Sequence, residues 1–241
     1  MRPKLRSAPP RVIAHRGASG TRPENTLSSV ETALEMCAEM IEIDVRTTLD
    51  GELVIMHDAD VGRTTNGEGL VSGMELGEIH RLDAGVWFGG AFRGERIPLL
   101  GEVLDAVRER ATLCIEVKDA RPSQVLDEVA RRDMLQDVIL FDFNHPRLYE
   151  AKLLRPGAMA LALGVTGESV GDVRTDLVDA IGVNYSKTGE SLVRRAHELG
   201  VAVFVYTVDD PEKMTWLVEN GVDAIITNHP EIALELLGQM P

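Results

Sequence analysis

Cysteine is scarce in this chain, with two among 241 residues, Cys37 and Cys114. Neither belongs to a Cys-x-x-Cys or Cys/His arrangement, which removes the usual zinc sites. Each lies in an apolar segment, so both thiols are expected to be buried. Long hydrophobic runs are also missing. No uninterrupted apolar stretch approaches the roughly 18–20 residues that a bilayer-spanning helix needs. The opening residues, MRPKLRSAPPR, are basic but carry no apolar h-region, so a secretory leader is not expected. Bases are in the minority, 25 Lys and Arg against 39 Asp and Glu, for a formal net charge of −14. Nucleic-acid binders rely on clustered Lys and Arg for the phosphate backbone, so that partner class is excluded. Stable association with anionic bilayers is disfavoured for the same reason. A cytoplasmic location fits these absences.

Eight short apolar runs recur along the chain, at residues 12–14, 40–45, 112–117, 138–143, 159–164, 180–185, 201–208 and 223–227. Most are continuously hydrophobic, as strands buried on both faces of a parallel sheet are. Helical patterns separate them, at 24–37, around 103–107, and at 123–134, 146–154, 191–199, 211–219 and 230–237. Three of these carry Pro near the first turn, Ser123 stands where a cap is wanted, and Gly200 and Gly221 stand where helices should end. Only residues 165–179 lack a convincing helix. Strands alternating with crossover helices indicate right-handed parallel units. Eight of them in this length fit a closed (β/α)8 TIM barrel, typically about 250 residues. An open doubly wound sheet is the alternative, but no Gly-x-Gly-x-x-Gly follows the first strand. The alternation breaks after the second strand, where Asp50-Gly51 signals a hairpin and an irregular, Gly-rich segment follows. Residues 59–97 are read as a small subdomain inserted into one barrel domain.

The informative polar residues fall inside the strands. Glu42 and Asp44 are two apart in Met-Ile-Glu-Ile-Asp-Val, and positions i and i+2 of a strand share a face. Glu116 and Lys118 repeat the spacing on the third strand. Three carboxylates converging in a barrel mouth repel one another unless a cation or proton sits between them. One lysine does not compensate three acids, so an oxygen site for one divalent cation, Mg2+ or Ca2+, is expected. A two-residue Asp50-Gly51 turn pairs residue 49 with 52, and so Asp44 with His57. His15 ends the first strand, beside Arg16, whose guanidinium suits phosphate. Two imidazoles, a hard cation and an arginine point to acid–base work on a phosphate ester. His80, His145, His197 and His229 are read as ordinary surface or packing residues.

The ordered motifs resemble those of the glycerophosphodiester phosphodiesterase family. They are His15-Arg16-Gly17, Pro23-Glu24-Asn25-Thr26, Glu42-Ile43-Asp44, Asp50-Gly51, His57-Asp58 and Arg63-Thr64-Thr65-Asn66-Gly67. Ile97-Pro98-Leu99-Leu100, Glu116-Val117-Lys118, Tyr206-Thr207-Val208 and the run from Gly221 to Asn228 complete the set. The resemblance implies a TIM barrel with an insertion and a divalent ion on Glu42, Asp44 and Glu116. It implies His15 and His57 as the acid–base pair, with Arg16 and Lys118 near the phosphate. The implied substrates are small-molecule glycerophosphodiesters, cleaved to glycerol 3-phosphate and an alcohol such as choline or ethanolamine.

Three positions depart from the family pattern. Tyr206 stands where Trp is common, Asn228 where Asp is frequent, and Asp142-Phe143 where Ser-Phe is frequent. None of the three is expected to touch the metal or the histidines, so the alcohol preference is what they affect, and Tyr206 is expected at the substrate. Trp87, Phe88 and Phe92 are expected to form the insertion's own core, or a wall that closes over the substrate's alcohol. His57 is taken as base and His15 as acid, acting on water or on the substrate's own glycerol hydroxyl. A lysophospholipase D or cyclising phosphodiesterase would use the same site on acylated lipid, but no clear amphipathic membrane helix is present. A non-catalytic phosphodiester-binding module would be expected to have lost a histidine or a carboxylate, and none is missing.

Overall fold

Alternating apolar strands and amphipathic helices leave each strand with two faces to bury, and a closed barrel buries both. The computed structural model describes residues 5, 6 and 9–239, so part of the basic opening stretch lies outside the described residues. Eight parallel strands close on themselves: β1 (Arg11–His15), β2 (Met40–Thr47), β4 (Thr112–Val117), β5 (Val138–Asp142), β6 (Met159–Ala162), β7 (Ala180–Asn184), β8 (Ala202–Tyr206) and β9 (Ala224–Thr227). Closure is made by β1, which pairs with β9 on one edge and β2 on the other. Helices α1 (Leu27–Glu35), α3 (Leu100–Val107), α4 (Pro122–Ala130), α5 (His145–Leu154), α6 (Glu190–Glu198), α7 (Pro211–Glu219) and α8 (Pro230–Leu236) cover the outside. As the pattern indicates, β6 and β7 are joined without a helix. None of the described helices is long and apolar enough to cross a membrane.

Strand periodicity divides the core in two. Val12, Ala14, Ile41, Ile43, Leu113 and Ile115 face outward and meet the helices. Ile13, Met40, Cys114, Phe141 and Phe204 fill the barrel interior. One step further along each inward column come His15, Glu42 and Asp44, Glu116 and Lys118, and Tyr206. The floor of the site is therefore apolar packing, and its walls are the last inward positions of the same strands.

Four details differ from the sequence reading. The hairpin of β2 with β3 (Leu53–Ile55) uses a three-residue turn, with Thr48 N–H bonded to Glu52 C=O and Gly51 in the left-handed region at φ +91°. Its partners are Val45 with Ile55 and Thr47 with Leu53, so Asp44 faces Met56 and not His57. The first helix starts at Leu27 rather than residue 24, because Asn25 adopts φ +58° and Thr26 is the N-cap in a capping box with Ser29. Cys37 is exposed, not buried. It follows the end of α1 at φ +62°, where Ala38 N–H bonds back to Ala33 C=O, and only Cys114 is enclosed. Likewise Pro122 opens α4 and displaces Ser123 from the cap position.

Between β3 and α3 the chain makes short 3-10 turns, at Val61–Arg63, Val71–Gly73 and Gly90–Phe92, and one helical turn, α2 (Leu76–Ile79). This segment has its own aliphatic core of Val54, Met56, Val61, Val71, Ile79, Ala84 and Ile97.

Candidate active site

Strand register sets the site. His15 lies beside Glu42 across the β1–β2 ladder, and Asp44 lies beside Glu116 across β2–β4. Glu42, Asp44 and Glu116 each offer an oxygen within 4.8 Å of the others. Glu42 and Asp44 are buried. Lys118 Nζ is 3.0 Å from Asp44 Oδ1, an ion pair outside hydrogen-bond geometry, and it also contacts Glu116. Burial, reinforced by Asp44 and Glu116, pushes Glu42 well above the usual carboxylate range. Glu116 is raised by burial and by Asp44. Against its own burial, Asp44 is held at about 2 by Lys118 and Arg16. Glu42 Oε1 is enclosed with no hydrogen-bond partner. A buried acceptor without a donor, among three crowded carboxylates, is what a hard cation would satisfy. The residues fit a divalent ion.

Both histidines have the same ring nitrogen tied. Contrary to the sequence reading, one of the three departing positions touches a histidine: Asn228, just after the last strand, places Oδ1 2.7 Å from His15 Nδ1. Asn228 Nδ2 donates to Asp209 Oδ2 at 2.7 Å, which fixes the amide so that its oxygen faces the imidazole. His15 Nδ1 therefore carries the proton, and Nε2 points at Glu42 Oε2, 3.8 Å away. Burial first, then Arg16, lowers His15 to about 4. His57 Nδ1 is 2.6 Å from Asp58 Oδ1. Asp58 is held at about 2, chiefly by its bond from Arg63, so it accepts only and Nδ1 of His57 again carries the proton. His57 is lowered by burial, and Asp44, Arg16 and Lys118 all act on its charge.

The hairpin places His57 here by a different route from the one expected. After Ile55 the chain leaves the ladder, and the His57 carbonyl accepts from Arg46 Nε and Nη2 at 2.9 and 2.6 Å. That clamp, rather than cross-strand pairing, fixes the backbone at His57.

Arg16 is held in the left-handed region, φ +55°, by its N–H to Glu42 Oε2 at 3.0 Å and by its carbonyl, which accepts from Asn25 N–H and Ser29 Oγ. Its Nη1 donates to Glu24 Oε1 at 2.8 Å and its Nε lies 3.2 Å from Asp44 Oδ2. Gly17 allows this turn, since a Cβ there would stand 2.4 Å from Ser29 Oγ. Asn25 grips Asp44 twice: Nδ2 donates to Oδ2 at 2.8 Å, and Oδ1 accepts the Asp44 N–H at 3.2 Å. Glu24, Asn25, Asp58, Arg63 and Asp209 were given no role by the sequence reading. The first four stand inside the quoted motifs, which was the available signal. Asp209 carried none.

A profile of the glycerophosphoryl diester phosphodiesterase family matches residues 15–232. The chain belongs to that family. It is 37% identical over 235 residues to the glycerophosphodiester phosphodiesterase of Caldanaerobacter subterraneus subsp. tengcongensis, covering 94% of this chain and 97% of the relative. Among solved structures it is similar to the glycerophosphodiester phosphodiesterase of Agrobacterium tumefaciens, with a TM-score of 0.85, 30% identity, and coverage of 94% and 99% of the two chains. A phosphodiesterase from Oleispira antarctica, solved with its product sn-glycerol-3-phosphate, superposes with a TM-score of 0.85 at 28% identity, covering 95% and 97%. The protein is thus an enzyme, a phosphoric diester hydrolase, built on the TIM barrel that its sequence indicates.

Aromatic residues of this phosphodiesterase stand at the end of β8 and in the insertion. Tyr206, half-buried at the end of β8, stacks edge-on with Phe143 at 6.2 Å, and its hydroxyl is raised by burial and by the Glu116 charge. Trp87, Phe88 and Phe92 are not the insertion's core, which is aliphatic. They form a separate edge-to-face row with centroids 5.5 and 5.4 Å apart, and Trp87 Nε1 donates to Ala84 C=O. Arg22, from the β1–α1 loop, stands over the Phe92 ring at 5.5 Å. Three of the other four histidines make ordinary packing contacts: His145 with Leu163 C=O, His197 with Asp223, and His229 with Glu231.

Proposed function

We propose that Glu42, Asp44 and Glu116 hold one divalent cation, Mg2+ or Ca2+, and that His57 and His15 act as base and acid in hydrolysing glycerophosphodiesters to glycerol 3-phosphate and an alcohol. One observation carries the reading. Three crowded carboxylates, two of them with a buried oxygen that no hydrogen bond reaches, lie in one site with two imidazoles that both leave Nε2 unprotonated. The relative with glycerol 3-phosphate bound as product supports the same phosphomonoester here.

When bound, the cation supplies Lewis-acid polarisation of a phosphoryl oxygen. Arg16, aimed by Glu24 and Asp44, takes a non-bridging oxygen and stabilises the charge that grows there. Lys118 neutralises Asp44 and Glu116 and reaches the same side of the phosphate. His57 is backed by a carboxylate, which favours its charged form, so it receives the proton of the attacking hydroxyl through Nε2. His15 is backed by a neutral amide and disfavoured as a cation by burial, so it first takes a proton from solvent at Nε2, is then the stronger acid, and gives that proton to the leaving alkoxide, while the proton received by His57 returns to solvent. The attacking hydroxyl comes from water or from the substrate's own glycerol, the latter with the benefit of proximity. Tyr206 and Trp87 flank the substrate, with Trp87 on the side of the alcohol.

The test is glycerol 3-phosphate release from glycerophosphocholine and glycerophosphoethanolamine with Mg2+, with Ca2+ and with chelator, beside Glu42→Ala. Release that both chelator and the substitution abolish is expected. No release with either ion would overturn the substrate assignment and turn the search to lysophospholipids.

A further inference from the structure

Three charged side chains, Glu24, Asp58 and Arg63, connect the two halves of the site. Arg63, in the 3-10 turn that opens the insertion, presents its whole fork. Nη1 and Nη2 donate to Glu24 Oε2 and Oε1, both at 2.8 Å, and Nε donates to Asp58 Oδ2. Each carboxylate passes the constraint on. Glu24 Oε1 also receives Arg16 Nη1 at 2.8 Å, and Asp58 Oδ1 receives His57 Nδ1 at 2.6 Å. Glu24 is the most enclosed of the two acids, with 13% of its side chain exposed against 31% for Asp58.

We propose that Arg63 is a positioning residue that sets two groups at once: the guanidinium of Arg16 through Glu24, and the ring of His57 through Asp58. The proposal rests on the functional reading above for the roles of Arg16 and His57, and adds to it the residue that couples them. The fork geometry is decisive. A carboxylate can rotate about its terminal torsion, and an Asp58 free to turn would offer His57 Nδ1 an acceptor only part of the time. Arg63 occupies Oδ2 and leaves Oδ1 for the imidazole. Glu24 has the same problem with Arg16, and the same guanidinium solves it from the other side. Three donors in one plane are required, so lysine, a single point of charge, cannot serve both acids. The link also spans two segments, since Glu24 belongs to the β1–α1 loop and Arg63 to the insertion, and the Arg22–Phe92 contact joins the same pair.

The test compares Arg63→Ala, Arg63→Lys, Asp58→Asn and Glu24→Gln, each with kcat and KM measured separately and with imidazole 15N shifts of His57 recorded in the metal-free protein. Arg63→Ala is expected to lower kcat by about 10–100-fold, the scale of orienting partners in such sites, and to raise KM several-fold. Asp58→Asn should reproduce mainly the kcat loss and Glu24→Gln mainly the KM rise, while Arg63→Lys restores one constant and not both. His57 should be the Nδ1–H tautomer in the native chain and a mixture of tautomers in Arg63→Ala. Constants within about twofold of native in Arg63→Ala would overturn the proposal. So would identical losses in the Asp58 and Glu24 variants, which mark a clamp that merely holds the fold. Should Arg63→Ala fail to fold, the two shape-conserving acid variants still carry the split. A native chain without hydrolysis in any metal would sink the functional reading instead, and the tautomer measurement would still decide the role of Arg63.

Discussion

Asn228 holds His15 with its oxygen and Asp209 with its nitrogen, at 2.7 Å on each side. The amide is matched to both neighbours, because Asp209 needs a donor and the imidazole needs an acceptor. Asn228→Asp would oppose two carboxylates at hydrogen-bond distance. It is expected to destabilise the chain by about 1–3 kcal/mol, the cost of leaving such groups unpaired. Adding Asp209→Asn returns a donor to the pair and should recover most of that loss. Denaturant unfolding of the two single variants and the double variant checks this, and purely additive losses would refute it.

The carboxylate cluster makes a prediction about the metal-free chain. Glu42 is pushed up by burial and by its two acidic neighbours, so its ionised form opposes folding at neutral pH. Glu42→Gln should raise the melting temperature in chelator by at least about 2 °C, which corresponds to roughly 1 kcal/mol at this size. The same variant should lose the stabilisation that Mg2+ or Ca2+ gives the native chain. Melting curves with and without each ion read both effects.

Asn25 grips Asp44 at the backbone and at the carboxylate. Asn25→Ala frees that acid to rotate, and is expected to weaken cation binding by about 10–100-fold while leaving the barrel folded. Titration calorimetry measures the first and circular dichroism the second.

Replacing either His15 or His57 with Ala should lower kcat by at least about 100-fold, the usual size of acid–base effects. Two variants with near-native rates would remove both residues from the chemistry.

Thiol chemistry distinguishes the cysteines. Cys37 is exposed beyond the end of α1, whereas Cys114 is enclosed in the barrel and burial raises its thiol well above the ordinary value. One equivalent of a thiol reagent should react in the native chain and two in denaturant, with Cys37→Ser abolishing the fast reaction.

The barrel was legible because its strands announce themselves twice, as apolar runs and by the positions where the run is broken. Glu42, Asp44, Glu116 and Lys118 were placed on inward faces by parity alone, and they lie there. Parity failed at the hairpin, because a three-residue turn and a two-residue turn share the Asp-Gly signal and differ by one step of register. His57 still feels the Asp44 charge, and the Arg46 clamp on its carbonyl leaves no trace in a pattern of side-chain types. The exposure of Cys37 was misread for a related reason. A left-handed residue at a helix end looks apolar in sequence but turns outward in space. The bridging role of Arg63 required distances, since Glu24, Asp58 and Arg63 are each unremarkable surface charges when taken singly.

The barrel closes through β1, which takes β2 on one side and β9 on the other, and β9 is the last strand to be made. A nascent chain can lay down β1, its histidine and the carboxylates early, yet the loop that carries Asn228 leaves the ribosome some two hundred residues after His15. Until then one edge of β1 is unpaired and the His15 ring has no acceptor to fix it. Hydrolytic competence therefore arrives late in synthesis, and a translation product stopped before β9 would carry both histidines and all three acids without a working centre.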